Sequence, residues 1–261
     1  MLDSADFYII LMMRNMDATE PQPKNLIIGR LRFIFVAIVT IATLVPYYII
    51  WNVSGIILRK YHYGLIRSWF SWILMSAGAR IDTVIDSSFD ISKPYIGVSN
   101  HLSYFDIPAT AYAVPVDWRF IAMRSLFYVP LLNSGLKHAQ MISIDRKSPE
   151  AAYQSLDRAA KQVIKGHTVL IYPEGGISPN GRLQPFKKGA FYLAIRSGIP
   201  ILPIVLIGSN DVFSIHRKES HPGTIRIKVL EPIPTDGLGE QEIPELQERV
   251  RRIMIEAGAT E

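Results

Sequence analysis

Between residues 33 and 58 the chain carries no charged side chain. An apolar run of that length exceeds the roughly 20 residues that a helix needs to cross a bilayer, so membrane contact is the first inference. Arg30 and Arg32 flank the run on one side and Arg59 and Lys60 on the other, and this near-symmetry sets no orientation. Pro46 lies near the middle of the run. It either kinks one spanning helix or marks the tip of two shorter helices that dip into one leaflet and return. A cleavable secretory leader is not expected, because the first residues include Asp3 and Asp6 in place of lysines and the apolar run begins late.

Three regions follow. Residues 1–27 read as a tail and linker, with a short apolar patch and then a polar stretch holding Pro21 and Pro23. Residues 28–78 read as a membrane-associated helical segment, one span or a re-entrant helix pair plus an interfacial helix. In the latter, Tyr61, Tyr63, Trp69, Phe70 and Trp72 suit the headgroup level of a bilayer. A helix packed on a soluble domain with its tryptophans in the core would look similar. Residues 79–261 read as an α/β domain, since short β-rich runs alternate with helical patterns.

Strands are predicted at 80–85, 95–98, 119–122, 141–144, 169–172, 201–206 and 224–230. Helices are predicted at 107–113, 126–132, 149–165, 188–197 and 244–257, with Ser148-Pro149-Glu150 as a helix start and Gly166 and Gly198 as stops. The expected fold class is a mixed central sheet flanked by helices, preceded by an N-terminal helical membrane-anchoring segment.

The 28 Lys and Arg against 23 Asp and Glu give a net charge of +5, which suits nucleic acid or an anionic membrane surface equally well in isolation. Beside a membrane segment the expected partner is membrane lipid, not nucleic acid. Part of the charge, such as Arg249, Arg251 and Arg252, also reads as a solvated helix face. The chain has no cysteine, which excludes disulfides, thiolate nucleophiles and cysteine-ligated metals.

The apolar strand at 95–98 runs into Asn100-His101-Leu102-Ser103-Tyr104-Phe105-Asp106, so His101 falls where a strand gives way to a loop, and open α/β sheets bind ligands at such strand ends. Asp106 follows five residues later, near the first turn of a helix. A carboxylate folded back onto one ring nitrogen fixes the tautomer and leaves the other nitrogen to take a proton from a hydroxyl. The bare spacing also fits a helix-initiating Asp and an unrelated surface His.

A second segment, Tyr172-Pro173-Glu174-Gly175-Gly176-Ile177-Ser178, follows the strand at 169–172. Its glycines let backbone amides approach an anion, and Glu174 can accept hydrogen bonds from a polyol, although a glycine pair after a strand is more often only a tight turn. Arg146 in Ile144-Asp145-Arg146, together with Arg124, Lys187 and Lys188, places cations near inferred strand ends, where an anion site would use them. The sequence holds no G-x-S-x-G elbow, phosphate-binding G-x-x-x-x-G-K-[ST] loop, G-x-G-x-x-G or H-E-x-x-H. His216, Glu219 and His221 cluster in a charged loop that is expected to face solvent, not to bind metal.

In order, N-H-L-S-Y-F-D, I-D-R, Y-P-E-G-G-I-S and G-I-P-I-L-P (198–203) resemble the four motif blocks of the 1-acylglycerol-3-phosphate acyltransferase family, with Phe186-Lys187-Lys188-Gly189-Ala190-Phe191 between the last two. The likeness runs from about residue 93 to 235. It implies transfer of a fatty acyl chain from acyl-CoA or acyl-carrier protein to the free hydroxyl of a lysophospholipid acceptor, lysophosphatidate first among them, at an inner or cytoplasmic membrane with the catalytic domain facing the cytosol. Carried across, His101 is the general base and Asp106 orients it. Arg146 binds acceptor phosphate, Glu174 and Gly175 shape the acceptor pocket, and Pro203 belongs to the acyl-donor side. No metal or redox cofactor is implied.

The third block usually reads E-G-T-R in this family. Here Gly176 and Ile177 replace the threonine and arginine, so either Arg146, Arg124 and Lys187 carry the phosphate contact or the acceptor has a larger headgroup or is a lyso-aminolipid. A lipid-binding protein without activity and a lipid or thioester hydrolase are the competing classes.

Overall fold

The computed structural model describes residues 25–57, 62–114, 116–129, 133, 136–137, 140–145 and 147–260. The apolar run forms helix α1 (Leu26–Ile57), and helix α2 (His62–Ser76) follows. Pro46 sits inside α1 without ending it. Hydroxyls within this apolar helix are satisfied locally: Thr40 and Thr43 donate to the carbonyls of Val36 and Val39 at 2.8 and 2.7 Å, one turn back.

Helix α2 returns antiparallel along α1. The Arg32 guanidinium donates to the Ala77 carbonyl at 2.9 Å, the Trp69 indole donates to the Thr43 hydroxyl at 3.0 Å, and the Tyr47 and Ser68 hydroxyls lie 3.4 Å apart. The two helices therefore form a hairpin, and Pro46, inside α1, is not its tip. Its outer surface displays Ile34, Ile38, Ile41, Val45 and Ile49, and the stretch Leu26–Ile50 is long and apolar enough to cross a membrane.

The remaining chain gives β1 (Ala79–Ile85), β2 (Ile96–Ser99), α3 (Asp106–Ala113), β3 (Trp118–Met123), a 3-10 turn at Arg124–Tyr128, β4 (Ile142–Ile144), α4 (Pro149–Val163) and β5 (Thr168–Ile171). After these come α5 (Gly189–Ser197), β6 (Ile201–Ile207), α6 (Ser209–Val212), β7 (Phe213–Ser214), β8 (Glu219–Ser220), β9 (Gly223–Val229) and α7 (Ile243–Glu256). The seven strands expected from sequence are the seven strands of one sheet, ordered β1-β9-β6-β2-β5-β3-β4. Neighbours are parallel except at β6 and β9, so the sheet is mixed. Helix α4 starts as its sequence predicts, with the Ser148 hydroxyl accepting from the Ala151 amide at 3.2 Å and Pro149 in the first turn.

Side chains alternate across the sheet. Ile96, Val98, Val169 and Val205 face one core with α4, α5 and α7, while Leu170, Leu202, Ile204 and Leu206 face a second core shared with α2 and α3. Strands β2 and β5 are buried at every position, the condition that makes a central parallel strand an unbroken apolar run.

The foot of α1 belongs to the second core. Phe33 stacks on Phe213 with centroids 4.8 Å apart, and Phe213 stacks on Phe105 at 4.7 Å. Gly29 lies so close to the His221 ring that a Cβ would stand 2.5 Å from it. This corrects the expectation that the charged loop faces solvent: the His221 and Glu219 side chains are only 12% and 13% exposed and approach to 3.3 Å, because α1 lands on them. His216 is exposed as expected.

Candidate active site

His101 lies just past the end of β2, and Tyr172 and Glu174 just past the end of the parallel neighbour β5. Both segments thus meet at one edge of the sheet, beside β6 on the other flank of β2, where strand ends leave room for ligand. The imidazole Nδ1 is 2.8 Å from Asp106 Oδ2. The same oxygen accepts the amides of Leu102 at 2.6 Å and Ser103 at 2.8 Å. Asp106 is wholly buried as the first residue of α3, and a turn puts it there: its own amide donates to the Ser103 carbonyl at 3.2 Å. With Nδ1–H donating to the carboxylate, Nε2 is the nitrogen left to receive a proton.

Glu174 ties this turn to the next. One of its oxygens accepts the His101 amide at 2.7 Å and the other the Gln184 amide at 2.8 Å. The Ser178 amide donates to the His101 carbonyl at 2.8 Å. Glu174 therefore shapes the site as a clamp between backbone segments, with each oxygen already engaged. Burial pushes its carboxyl above the usual range, opposed by the amides of Gln184 and His101.

The two glycines that follow differ. Gly175 has φ +84°, and a Cβ there would stand 2.5 Å from Lys187 Nζ, so the lysine arm lies across this turn, held by its own amide donating to the Pro173 carbonyl at 2.8 Å. Gly176 has open space where a Cβ would go.

Among the expected cations, Lys187 is brought beside Glu174 and Gly175, and both it and Lys188 are exposed. Arg124 follows β3, donating to Asp145 at 2.6 Å and to the Tyr128 hydroxyl at 2.9 Å; these contacts hold it in its charged form, Asp145 first. The Asp145 carboxyl is lowered by the Lys147 amide and then by Arg124. Arg146 lies outside the described residues. Pro203 is buried in β6 opposite Val98. Its missing amide falls between the Ile201–Ile233 bridge and the start of β9 pairing at Ile204, where Leu230 donates to its carbonyl at 3.0 Å. It forms part of the floor of the sheet, not of the surface around His101.

Several supporting residues carry no recognisable chemistry in sequence. The Asn100 side chain pairs with both backbone groups of Leu206, donating and accepting at 2.8 Å, and so fastens the end of β2 to β6. The Ser103 hydroxyl donates to the Phe213 carbonyl at 2.6 Å. Tyr172 stacks on the His101 ring. A buried Asn at the end of an apolar strand is itself a signal, because such a group persists only when hydrogen-bonded.

An imidazole held by a buried carboxylate at the carboxyl edge of an α/β sheet has the geometry to take a proton from an alcohol. The family whose model matches residues 80–207 is described as Acyltransferase. The chain is 33% identical over 179 residues to the human 1-acyl-sn-glycerol-3-phosphate acyltransferase alpha, covering 68% of this chain and 63% of that one. It is 31% identical over 219 residues to the coconut (Cocos nucifera) 1-acyl-sn-glycerol-3-phosphate acyltransferase, covering 80% and 70%. The crystal structure of the 1-acyl-sn-glycerophosphate acyltransferase PlsC from Thermotoga maritima shares the fold, with a TM-score of 0.73, 24% identity and coverage of 87% and 93%. The chain belongs to the 1-acyl-sn-glycerol-3-phosphate acyltransferase family. It spans 62% of the length of the sheep alpha relative.

Proposed function

We propose that this protein transfers a fatty acyl chain from acyl-CoA or acyl-carrier protein to the free hydroxyl of lysophosphatidate, giving phosphatidate for phospholipid synthesis. The observation that carries the reading is the 2.8 Å contact of His101 with a buried Asp106 whose engaged oxygen takes two further backbone amides. A thioester is already activated, so the protein's main task is to deprotonate the alcohol as it attacks. His101 Nε2 takes the hydroxyl proton as the acceptor oxygen bonds to the thioester carbonyl carbon. Collapse of the tetrahedral intermediate breaks the C–S bond, and the leaving thiolate takes the proton back from the imidazolium. Asp106 stabilises that imidazolium and holds its orientation.

Lys187 across Gly175 and Arg124 beyond β3 are the described cations we assign to the acceptor phosphate, in place of the arginine that Ile177 replaces. Exposed Tyr104, Met123, Tyr128 and Val129 beside the ends of β2 and β3 offer an apolar rim along which acyl chains approach. The hairpin of α1 and α2 would dip into the membrane and return, keeping the site on the cytosolic face of an inner or cytoplasmic membrane. The reaction as written uses no metal or redox cofactor.

The test is His101→Ala in intact membranes with lysophosphatidate and acyl-CoA or acyl-carrier protein. Turnover is expected to fall at least about 10³-fold; near-normal turnover would sink the assignment. A panel of lysolipids competing for one donor reports whether lysophosphatidate is the acceptor, and release of free fatty acid without a new diacyl lipid would mark a hydrolase instead.

A further inference from the structure

The His101 ring has a second neighbour that the proton-transfer step does not use. Tyr172, the first residue after β5, lies against it with ring centroids 4.0 Å apart and planes inclined by 17°. That is a face-to-face contact with no room for solvent between the rings, well inside the roughly 6 Å over which an aromatic face attracts a cation. The attraction is absent while the imidazole is neutral and appears when it is protonated. Only the intermediate with imidazolium present gains it, which is the condition for an interaction to accelerate a step.

We propose that Tyr172 is a positioning residue for His101, whose aromatic face stabilises the imidazolium formed when the acceptor hydroxyl gives up its proton. The proposal rests on the reading of His101 as the base. The ring, and not the hydroxyl, is assigned this task, because the ring face lies on the imidazole while the buried hydroxyl sits beside the Thr110 hydroxyl. The phenol also stays neutral: burial pushes it well above its ordinary range, and the Asp106 charge adds to this against the Thr110 hydroxyl. A neutral, electron-rich face therefore covers one side of the base at any working pH.

The charged and titratable groups around His101, among the described residues, are Asp106 from α3, Glu174 and Tyr172 from the end of β5, and Lys187 lying over Gly175 ahead of α5. Asp106 and Glu174 favour the imidazolium and Lys187 opposes it. Removal of the aromatic face takes away one contact that favours the imidazolium, so the ring becomes a weaker acceptor of the hydroxyl proton.

The experiment uses the full chain in phospholipid vesicles with lysophosphatidate and an acyl-CoA, replacing Tyr172 by Phe and by Phe bearing one, two or three ring fluorines, which preserve shape while draining the π face. Tyr172→Phe is expected to keep kcat within about threefold. Across the fluorinated series kcat should fall stepwise to about tenfold below Phe, with KM for the acceptor unchanged and the acid limb of kcat/KM moving to lower pH. A flat series, or a loss of kcat with the acid limb unmoved, overturns the proposal and leaves Tyr172 as packing. If the series is flat while His101→Ala is inactive, only this inference fails; wild-type turnover in His101→Ala removes both readings.

Discussion

The turn at 100–106 and the cation-bearing rim around it are held in opposite ways. In the turn, the Asn100 amide, the Ser103 hydroxyl, the His101 Nδ1 and one Asp106 oxygen are each fixed to a named partner in a buried setting. On the rim, the Arg124 side chain is 53% exposed and shares its charge with Asp145, and Lys187 is exposed above a glycine turn. The proposed proton transfer needs one geometry to within a fraction of an ångström, and the groups assigned to it are locked. Cations that receive a lipid headgroup from solvent keep their hydration until the ligand arrives, and a flexible arm suits that task.

The sharpest way to break this contrast is Asp106→Asn, which keeps shape but turns an acceptor toward the amides of Leu102 and Ser103 and the ring of His101 into a mixed donor and acceptor. It should lower kcat by about 10³-fold or more with little change in KM, measured in membranes at saturating acceptor; a loss below about tenfold would show that the locked turn is not the reacting centre. Gly175→Ala comes next. It forces a side chain into the left-handed region and against Lys187, at about 1–3 kcal/mol of strain, and should cost about tenfold to a hundredfold in kcat/KM together with a lower melting temperature. The same change at Gly176, where space is open, should leave both within about twofold, and equal effects at the two positions would overturn the packing of Lys187 across Gly175.

On the rim, Arg124→Gln should raise KM for lysophosphatidate by about tenfold and leave kcat within about threefold, the pattern of lost uniform binding. A fall in melting temperature with KM unmoved would instead make Arg124 a structural partner of Asp145.

The smallest effect is in pH dependence. Because burial raises the Glu174 carboxyl, its contribution to stability is greatest where it is protonated and declines as pH rises through its folded-state value. Glu174→Gln has no such titration. The stability of wild type relative to this variant should therefore fall from mildly acid to neutral pH, followed by urea melts at each pH.

The seven strands of the sheet were legible because each is a short apolar run bounded by turn residues, and the His101–Asp106 pair because it closes over five residues. What was not legible depends on distant chain. Asp82 and Arg226, 144 residues apart, meet at 2.8 Å across the β1 and β9 pairing, and no local pattern announces that β9 runs against β6. Strands β7 and β8 span two residues each, too few to show a period. His221 sits in a charged stretch and reads as exposed until α1 lands on it, and the capture of Glu174 by the amides of His101 and Gln184 joins segments 73 and 10 residues apart.

The column Phe33–Phe213–Phe105 has a practical corollary for anyone who wants a water-soluble enzyme. A cut at residue 78 looks natural from composition, yet it would strip Phe33, Val36, Ile73 and Leu74 from the second core, bare the face of Phe213, and loosen the residue that immediately precedes Asp106. The apolar hairpin braces the turn that carries Asp106, through Phe213 and Phe105. Solubilisation should proceed by recolouring the outward isoleucines of α1 with polar side chains while the foot stays in place.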